Sequence, residues 1–273
     1  MLAVLLALGA SAAWGLGDFL GGVKARVLPA LSVLAASQPV GLSLLAVAVA
    51  IRGDGPPGAE VFWACLAAAF GTSGLVAFYR GMAAGAISVI APIAGTAAAV
   101  PVVWGLAQGE HPSGLQELGF VLALGGVVAT SWERTTGERR VAAGVGWAAL
   151  TLVAFGGYYV PMHAASRGDF LWASLVFRTT STSLVWLTVL TLRRRPRGIR
   201  PHLAAIAAIG VFDTAGNVLF AAASQEHGLL SVVSVLASPP PSGRRGSSPS
   251  TAAWPLERSR SSRRSPAPPP PCP

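Results

Sequence analysis

The sequence predicts an all-α polytopic membrane protein, arranged as two inverted five-helix halves of which the second is incomplete. Three observations lead there: a surface too poor in charge to face water, a series of apolar runs of membrane length, and a weak internal repeat. Of the 273 residues, 52% are hydrophobic and 11% charged, and the mean hydropathy is +0.58. A soluble domain carries about 25% charged residues to solvate its surface. The balance excludes a disordered chain, a coiled coil and an ordinary cytosolic enzyme. The 32 glycines follow no G-X-Y period, which excludes a collagen.

A helix crossing the hydrocarbon core needs about 20 mostly apolar residues. Runs of that kind occupy 2–22, 31–51, 60–80, 83–107, 114–131, 143–163, 170–192 and 202–223, giving eight expected spans. The first resembles a signal peptide in its apolar core and small residues. It lacks a basic n-region and runs directly into Trp14-Gly-Leu-Gly-Asp-Phe-Leu, so it is read as a span. Residues 52–58, 111–114 and 193–198 carry the Gly, Pro and Arg of connecting loops. A ninth run, 228–238, stops after 11 residues, too short to cross. Cys65 and Cys272 form no disulfide framework, and no Cys/His spacing suggests a metal.

Cationic residues collect on the cytoplasmic side of membrane proteins. The odd-numbered connections hold Lys24, Arg26, Arg80, Arg134, Arg139, Arg140, Arg193, Arg194, Arg195, Arg197 and Arg200, whereas the even-numbered ones hold Arg52 and Arg167. The bias places the N-terminus outside, and the expected location is the cell (plasma) membrane.

At an offset of about 143, residues 85–92 echo 228–235, with identities at Gly85/Gly228, Ser88/Ser231 and Val89/Val232. Ala13-Trp14-Gly15 echoes Ala154-Phe155-Gly156 at an offset of 141. Halves of five spans each put the second copy into the membrane upside down, the plan of many secondary transporters.

These residues also resemble the EamA branch of the drug/metabolite transporter (DMT) superfamily. The family's early Trp-Gly pattern is matched by Trp14-Gly15, and the small-residue turn between helices 3 and 4 by Arg80-Gly-Met-Ala-Ala-Gly-Ala-Ile-Ser. Pro92 stands for the proline of helix 4, with Gly109-Glu110 and Gln116-Glu-Leu-Gly119 for the pattern that follows it. Ala223-Ser-Gln-Glu-His-Gly-Leu-Leu-Ser echoes the second-half turn. The resemblance covers residues 1–238. It implies a ten-helix fold of two inverted repeats, here 1–131 (helices 1–5) and 141–238 (helices 6–8 and a stub of 9), and movement of small organic molecules.

Where helices 9 and 10 should follow, residues 239–273 hold 11 of the 21 prolines, six arginines and one acid. Such a segment cannot bury enough apolar surface to offset chain ordering and is expected to be disordered. Two origins are open, a genuine basic extension or a reading-frame shift in a GC-rich coding sequence. The second is favoured because the break falls in mid-helix. With this segment set apart, most of the +9 formal charge is unrelated to the membrane body.

Ionisable residues at membrane depth are costly and mark cavities or partners. Asp18 shares a helical face with Ser11, Trp14, Gly15 and Gly22. It is either a cavity carboxylate for a cation or proton, or a helix-end residue reaching headgroups beside Lys24 and Arg26. Asp213 lies mid-span with Gly210, Gly216, Asn217, Phe220 and Ser224, as a cavity residue or as interhelical glue. Arg178, beside Ser174, Ser181 and Thr182, stays charged and requires an anion: Asp18, Asp213 or a carboxylate on a solute. Gln38, Pro39, Tyr158, Tyr159, Pro161 and His163 fit a kinked, aromatic-lined path, with His163 near the interface. Glu110 is expected to make a turn or to cap helix 5.

The candidate cavity set is therefore Asp213, Asn217, Asp18, Trp14, Arg178, Tyr158 and Gln38, with no catalytic or metal residues. No G-x-S-x-G, P-loop or HExxH motif points to an enzyme. The expected activity is secondary transport of small organic metabolites or drug-like solutes by alternating access, with proton coupling as an option. The alternatives are a non-transporting membrane scaffold, or an inactive frame-shifted remnant of a transporter. No cofactor and no nucleic acid are expected. The expected partners are the lipid bilayer, a small solute, protons and, as an option, a second copy in a homodimer.

Overall fold

Backbone groups in a lipid environment must find their hydrogen bonds within the chain, and a helix supplies them locally. Every regular element among the described residues is accordingly helical, with no strand. The structure is a computed structural model, and it describes residues 1–53, 58, 60–83, 90, 93–130, 138–226 and 229–238. The segment 239–273, expected to be disordered, lies outside the described residues. In chain order the helices are α1 (Leu2–Ala25), α2 (Ala30–Arg52), α3 (Glu60–Ala83), α4 (Ala99–Ala107) and α5 (Gly114–Thr130). There follow α6 (Glu138–Ser166), α7 (Phe170–Thr191), α8 (Leu203–Gln225) and α9 (Leu230–Ala237). Five stretches are long and apolar enough to cross a membrane: α1, α2, α3, α7 and Arg200–Gln225, which contains α8. This is the architecture of a multi-pass membrane protein.

Local chemistry sets the helix ends. Gly53 takes a left-handed φ of 76° and closes α2 by returning its N–H to Val49. Asp169 opens α7, its carboxylate accepting the N–H of Trp172 at 2.8 Å. The same carboxylate pairs with Arg52 at 2.6 Å, tying the end of α2 to the start of α7.

Helix packing follows small residues rather than large ones. Without a hydrophobic force between helices in lipid, close backbone approach supplies the attraction. α1 packs chiefly along α8, α3 chiefly along α6, and α2 lies against both α7 and α8. In the α1–α8 seam Gly216 receives the Trp14 ring, and in the α3–α6 seam Gly74 receives the Phe155 ring. Where α2 crosses α8, Gly41 lies against Thr214 and the Gly210 carbonyl, and Gly210 against the Ser37 carbonyl. Leu5, Leu16, Val47, Phe62, Val153 and Leu187 are among the large apolar side chains left exposed, as a lipid-facing surface requires. The interior holds Arg178, Gln38, Asn217 and several hydroxyls instead.

One expectation needs correction, and another falls partly outside the described residues. Of the fourth span, expected over 83–107, residues 84–89, 91 and 92 lie outside the described residues, and helix runs from Ile93 to Ala107 with a 3-10 turn at Thr96–Ala98. Pro101 accounts for the turn, since it has no N–H for the carbonyl four residues back. Glu110 caps a helix, but not helix 5. Its carboxylate accepts the N–H groups of Leu230 at 2.7 Å and Ser231 at 3.0 Å, so it caps α9. Gly109, at φ 87°, reverses the chain, and the Glu110 N–H returns to Gly105 at 2.9 Å. The Glu110 side chain then lies across Gly105, where a Cβ would block it. Its charge also suits the positive end of α9.

Gly210→Ala is expected to destabilise the chain by about 1–3 kcal/mol, because the neighbour is backbone and cannot rotate away. Gly119→Ala, with nothing within 4 Å of the added atom, is expected to cost nothing. Thermal unfolding of the two detergent-solubilised variants compares them directly.

Candidate functional site

A cavity of about 870 Å³, a figure that includes its open mouth, lies among α1, α2, α3, α6, α7 and α8. Its walls carry charge, and charge keeps a cavity from closing around apolar neighbours. Arg178 is 1% exposed, the largest fully buried side chain among the described residues. A buried guanidinium is tolerated only with anionic or strongly accepting partners. Arg178 has both: Nη1 donates to Asp213 Oδ2 at 2.6 Å and to Gln38 Oε1 at 2.7 Å. Three helices, α2, α7 and α8, therefore meet at one nitrogen. Nε and Nη2 of Arg178 are also buried and find no hydrogen-bond acceptor among the described residues.

A second relay fixes Asp213 from behind. Asn217, one turn along α8, donates through Nδ2 to the Asp213 carbonyl at 2.6 Å. Its Oδ1 accepts the Tyr158 hydroxyl at 2.7 Å, which brings in α6. On the opposite wall the Thr72 hydroxyl donates to Ser181 Oγ at 2.8 Å, linking α3 to α7. Asp18 lines the cavity from α1 without a hydrogen bond or ion pair to any described residue.

Aromatic rings form the apolar wall. Trp14 and Tyr158 pack edge to face at 5.9 Å and 79°, and Tyr158 and Phe177 at 5.4 Å and 71°. Such pairs are rigid and favourable beyond their buried area. The Arg178 guanidinium carbon stands 5.7 Å from the Phe177 ring, so cation and aromatic wall touch.

All seven candidate residues line this cavity: Trp14, Asp18, Gln38, Tyr158, Arg178, Asp213 and Asn217. Of the three anions considered for Arg178, Asp213 is its ion-pair partner. Asp18 faces the cavity, while Lys24 approaches His202 Nδ1 at 3.5 Å instead. Tyr159 lines the cavity as well, and His163 does not. Thr72, Phe78, Phe155 and Phe177 line the cavity in addition to the expected set. Thr72 left a signal in the polar interruption Gly71-Thr72-Ser73-Gly74 of an apolar helix. The phenylalanines left none, since an apolar residue in a span reads alike toward lipid or cavity.

The site can hold charge at membrane depth, exchange hydrogen bonds among three helices and receive an organic solute against rings. No family model matches the chain, and no curated protein matches it.

Arg178→Met strands Asp213 and is expected to cost about 3 kcal/mol, as for one member of a buried pair. Arg178→Met with Asp213→Asn removes both charges and is expected to recover at least half of that loss. Thermal unfolding of the single and double variants measures the difference.

Proposed function

We propose that the protein is a secondary transporter that carries small organic solutes across the cell membrane by alternating access. The observation that carries the reading is the cavity itself, a charged and aromatic chamber walled by six helices of an apolar bundle. A scaffold needs interhelical hydrogen bonds but no chamber. Charges at this depth mark solute or ion paths.

The packing supports two inverted repeats of the EamA type. Exchanging α1 with α6, α2 with α7, α3 with α8 and α4 with α9 turns the α1–α8 seam into α6–α3. The α2–α8 seam becomes α7–α3, the α1–α9 contact becomes α6–α4, and α2–α7 maps onto itself; each of these contacts is present. Individual residues follow the same exchange. Trp14 against Gly216 corresponds to Phe155 against Gly74, at offsets of 141 and 142. Halves with an odd number of spans are necessarily inverted, and a solute site between them suits rocking of one half against the other. The bias in loop charge supports an N-terminus outside. Proton coupling would run through Asp18 and Asp213, the two carboxylates of the cavity.

Ala94 lines the cavity and is half-buried. In a chain carrying Cys65→Ser and Cys272→Ser, Ala94→Cys is expected to react with a membrane-impermeant maleimide from either face, in right-side-out and in inverted vesicles. Labelling from one face only would sink alternating access.

A further inference from the structure

The charge and the wall of the cavity together select a class of solute. Arg178, Asp213 and Asp18 bring one positive and two potential negative charges to the same chamber. Asp213 neutralises Arg178 at 2.6 Å, and Asp18 has no counter-charge among the described residues.

Accessibility decides which sign of charge a solute can satisfy. The unpartnered Nε and Nη2 of Arg178 are sealed in protein, with under 1 Å² of surface each. A solute anion could reach them only by displacing side chains. The carboxylates keep some access: the Asp213 side chain is 19% exposed and Asp18 is half-buried. Beside them stand the rings of Trp14, Tyr158, Phe155 and Phe177. A metal cation would want six or more oxygens around it. Two carboxylates flanked by aromatic faces instead match an ammonium group, which is attracted both by the charge and by the π-faces.

The geometry points to a monovalent organic cation, an amine or quaternary ammonium carrying an apolar group, as the solute, with Asp18 as its counter-ion and the Trp14–Tyr158–Phe177 wall as its apolar seat. Resting on the transport reading, this assignment names the substrate class of that cavity. A bound cation would also hold the orphan Asp18 in its charged form at a depth where charge alone is costly. Arg178 is then a positioning residue. It holds Asp213 and Gln38 in place and repels nothing, because its charge is already balanced.

The test uses the full chain in detergent and three probes of similar size: benzyltrimethylammonium, benzyl alcohol and benzoate. Binding is read by thermal shift and by quenching of tryptophan fluorescence. Benzyltrimethylammonium is expected to bind saturably and to raise the unfolding temperature, with benzyl alcohol and benzoate at least about tenfold weaker, as loss of a charged partner predicts. Asp18→Asn is expected to weaken the cation at least about tenfold, and Asp18→Glu to restore part of the affinity. Tighter binding of benzoate, no binding of any probe, or equal cation affinity in a folded Asp18→Asn chain would each overturn the assignment. The three-probe comparison on the unaltered chain decides the sign of the charge even if the Asp18 variants fail to fold. Two-face labelling of Ala94→Cys without cation binding would leave transport standing and remove this substrate class. Cation binding with one-face labelling would do the reverse.

Discussion

Everything in the interior is arranged around one obligation, the burial of the Arg178 guanidinium. An arginine at 1% exposure cannot shed its proton, so the fold must bring acceptors to it. Asp213 and Gln38 are those acceptors, and they come from different helices. Asp213 then needs its backbone held, which Asn217 does, and Asn217 recruits Tyr158. One charge therefore fixes the relative positions of α2, α6, α7 and α8. Apolar packing alone could not do this, since lipid tails compete equally for any leucine.

The second constraint is distance. Short polar side chains bridge helices only where backbones approach closely, and glycines permit that approach. Gly210 and Gly41 set the α2–α8 crossing that carries Gln38 to Arg178. Gly17 meets the Asp213 backbone, and Gly216 accepts the Trp14 ring, so α1 delivers Trp14 and Asp18 to the same chamber. The abundance of glycine in the composition is thus the condition for a polar interior. The same tightness makes the cavity walls stiff, because a glycine seam has no side chain to repack.

Much of this was legible in the sequence, for a definite reason. Span positions follow from hydropathy, and seven of the eight expected runs match described helices closely. The cavity residues were legible because a polar group is expensive in lipid, so each one in a span announces a partner or a path. What hydropathy cannot register is which way an apolar residue faces. Phe155 and Phe177 line the chamber while Phe62 is exposed, and nothing in their local sequence separates them. Partner choice was equally hidden. Glu110 reads as a cap for the helix that follows it, yet it caps α9, 120 residues away. That depends on Gly109 turning the chain, and on Gly105 leaving space for the carboxylate. The 3-10 turn before Pro101 was foreseeable from the proline but masked by the apolar run around it.

On the two-half reading, the bonds sort by half in a way that bears on movement. The Arg178–Asp213 ion pair and the Tyr158–Asn217 bond both lie within the second half. What crosses between halves is Arg178 to the neutral Gln38 amide, Thr72 to Ser181, and the Glu110 carboxylate to the N–H groups of Leu230 and Ser231. A neutral interhelical bond such as Thr72–Ser181 is worth roughly 0.6 kcal/mol on average, and one with a single charged partner about 1.5–3 kcal/mol. The Arg52–Asp169 pair also crosses, but both side chains are about a quarter exposed, where such pairs contribute about 1 kcal/mol or less. The second half therefore keeps the Arg178 charge satisfied by its own Asp213, whatever happens to the Gln38 and Thr72 contacts. Rocking that broke the Arg178–Asp213 pair would strand a charge at membrane depth. Rocking that exchanges Gln38 for water or solute would not. The first half contributes Asp18, a cavity carboxylate without a partner among the described residues, to the face that such a motion would uncover. A solute that neutralises Asp18 then lowers the cost of carrying that face across the membrane, which couples occupancy of the cavity to the motion itself.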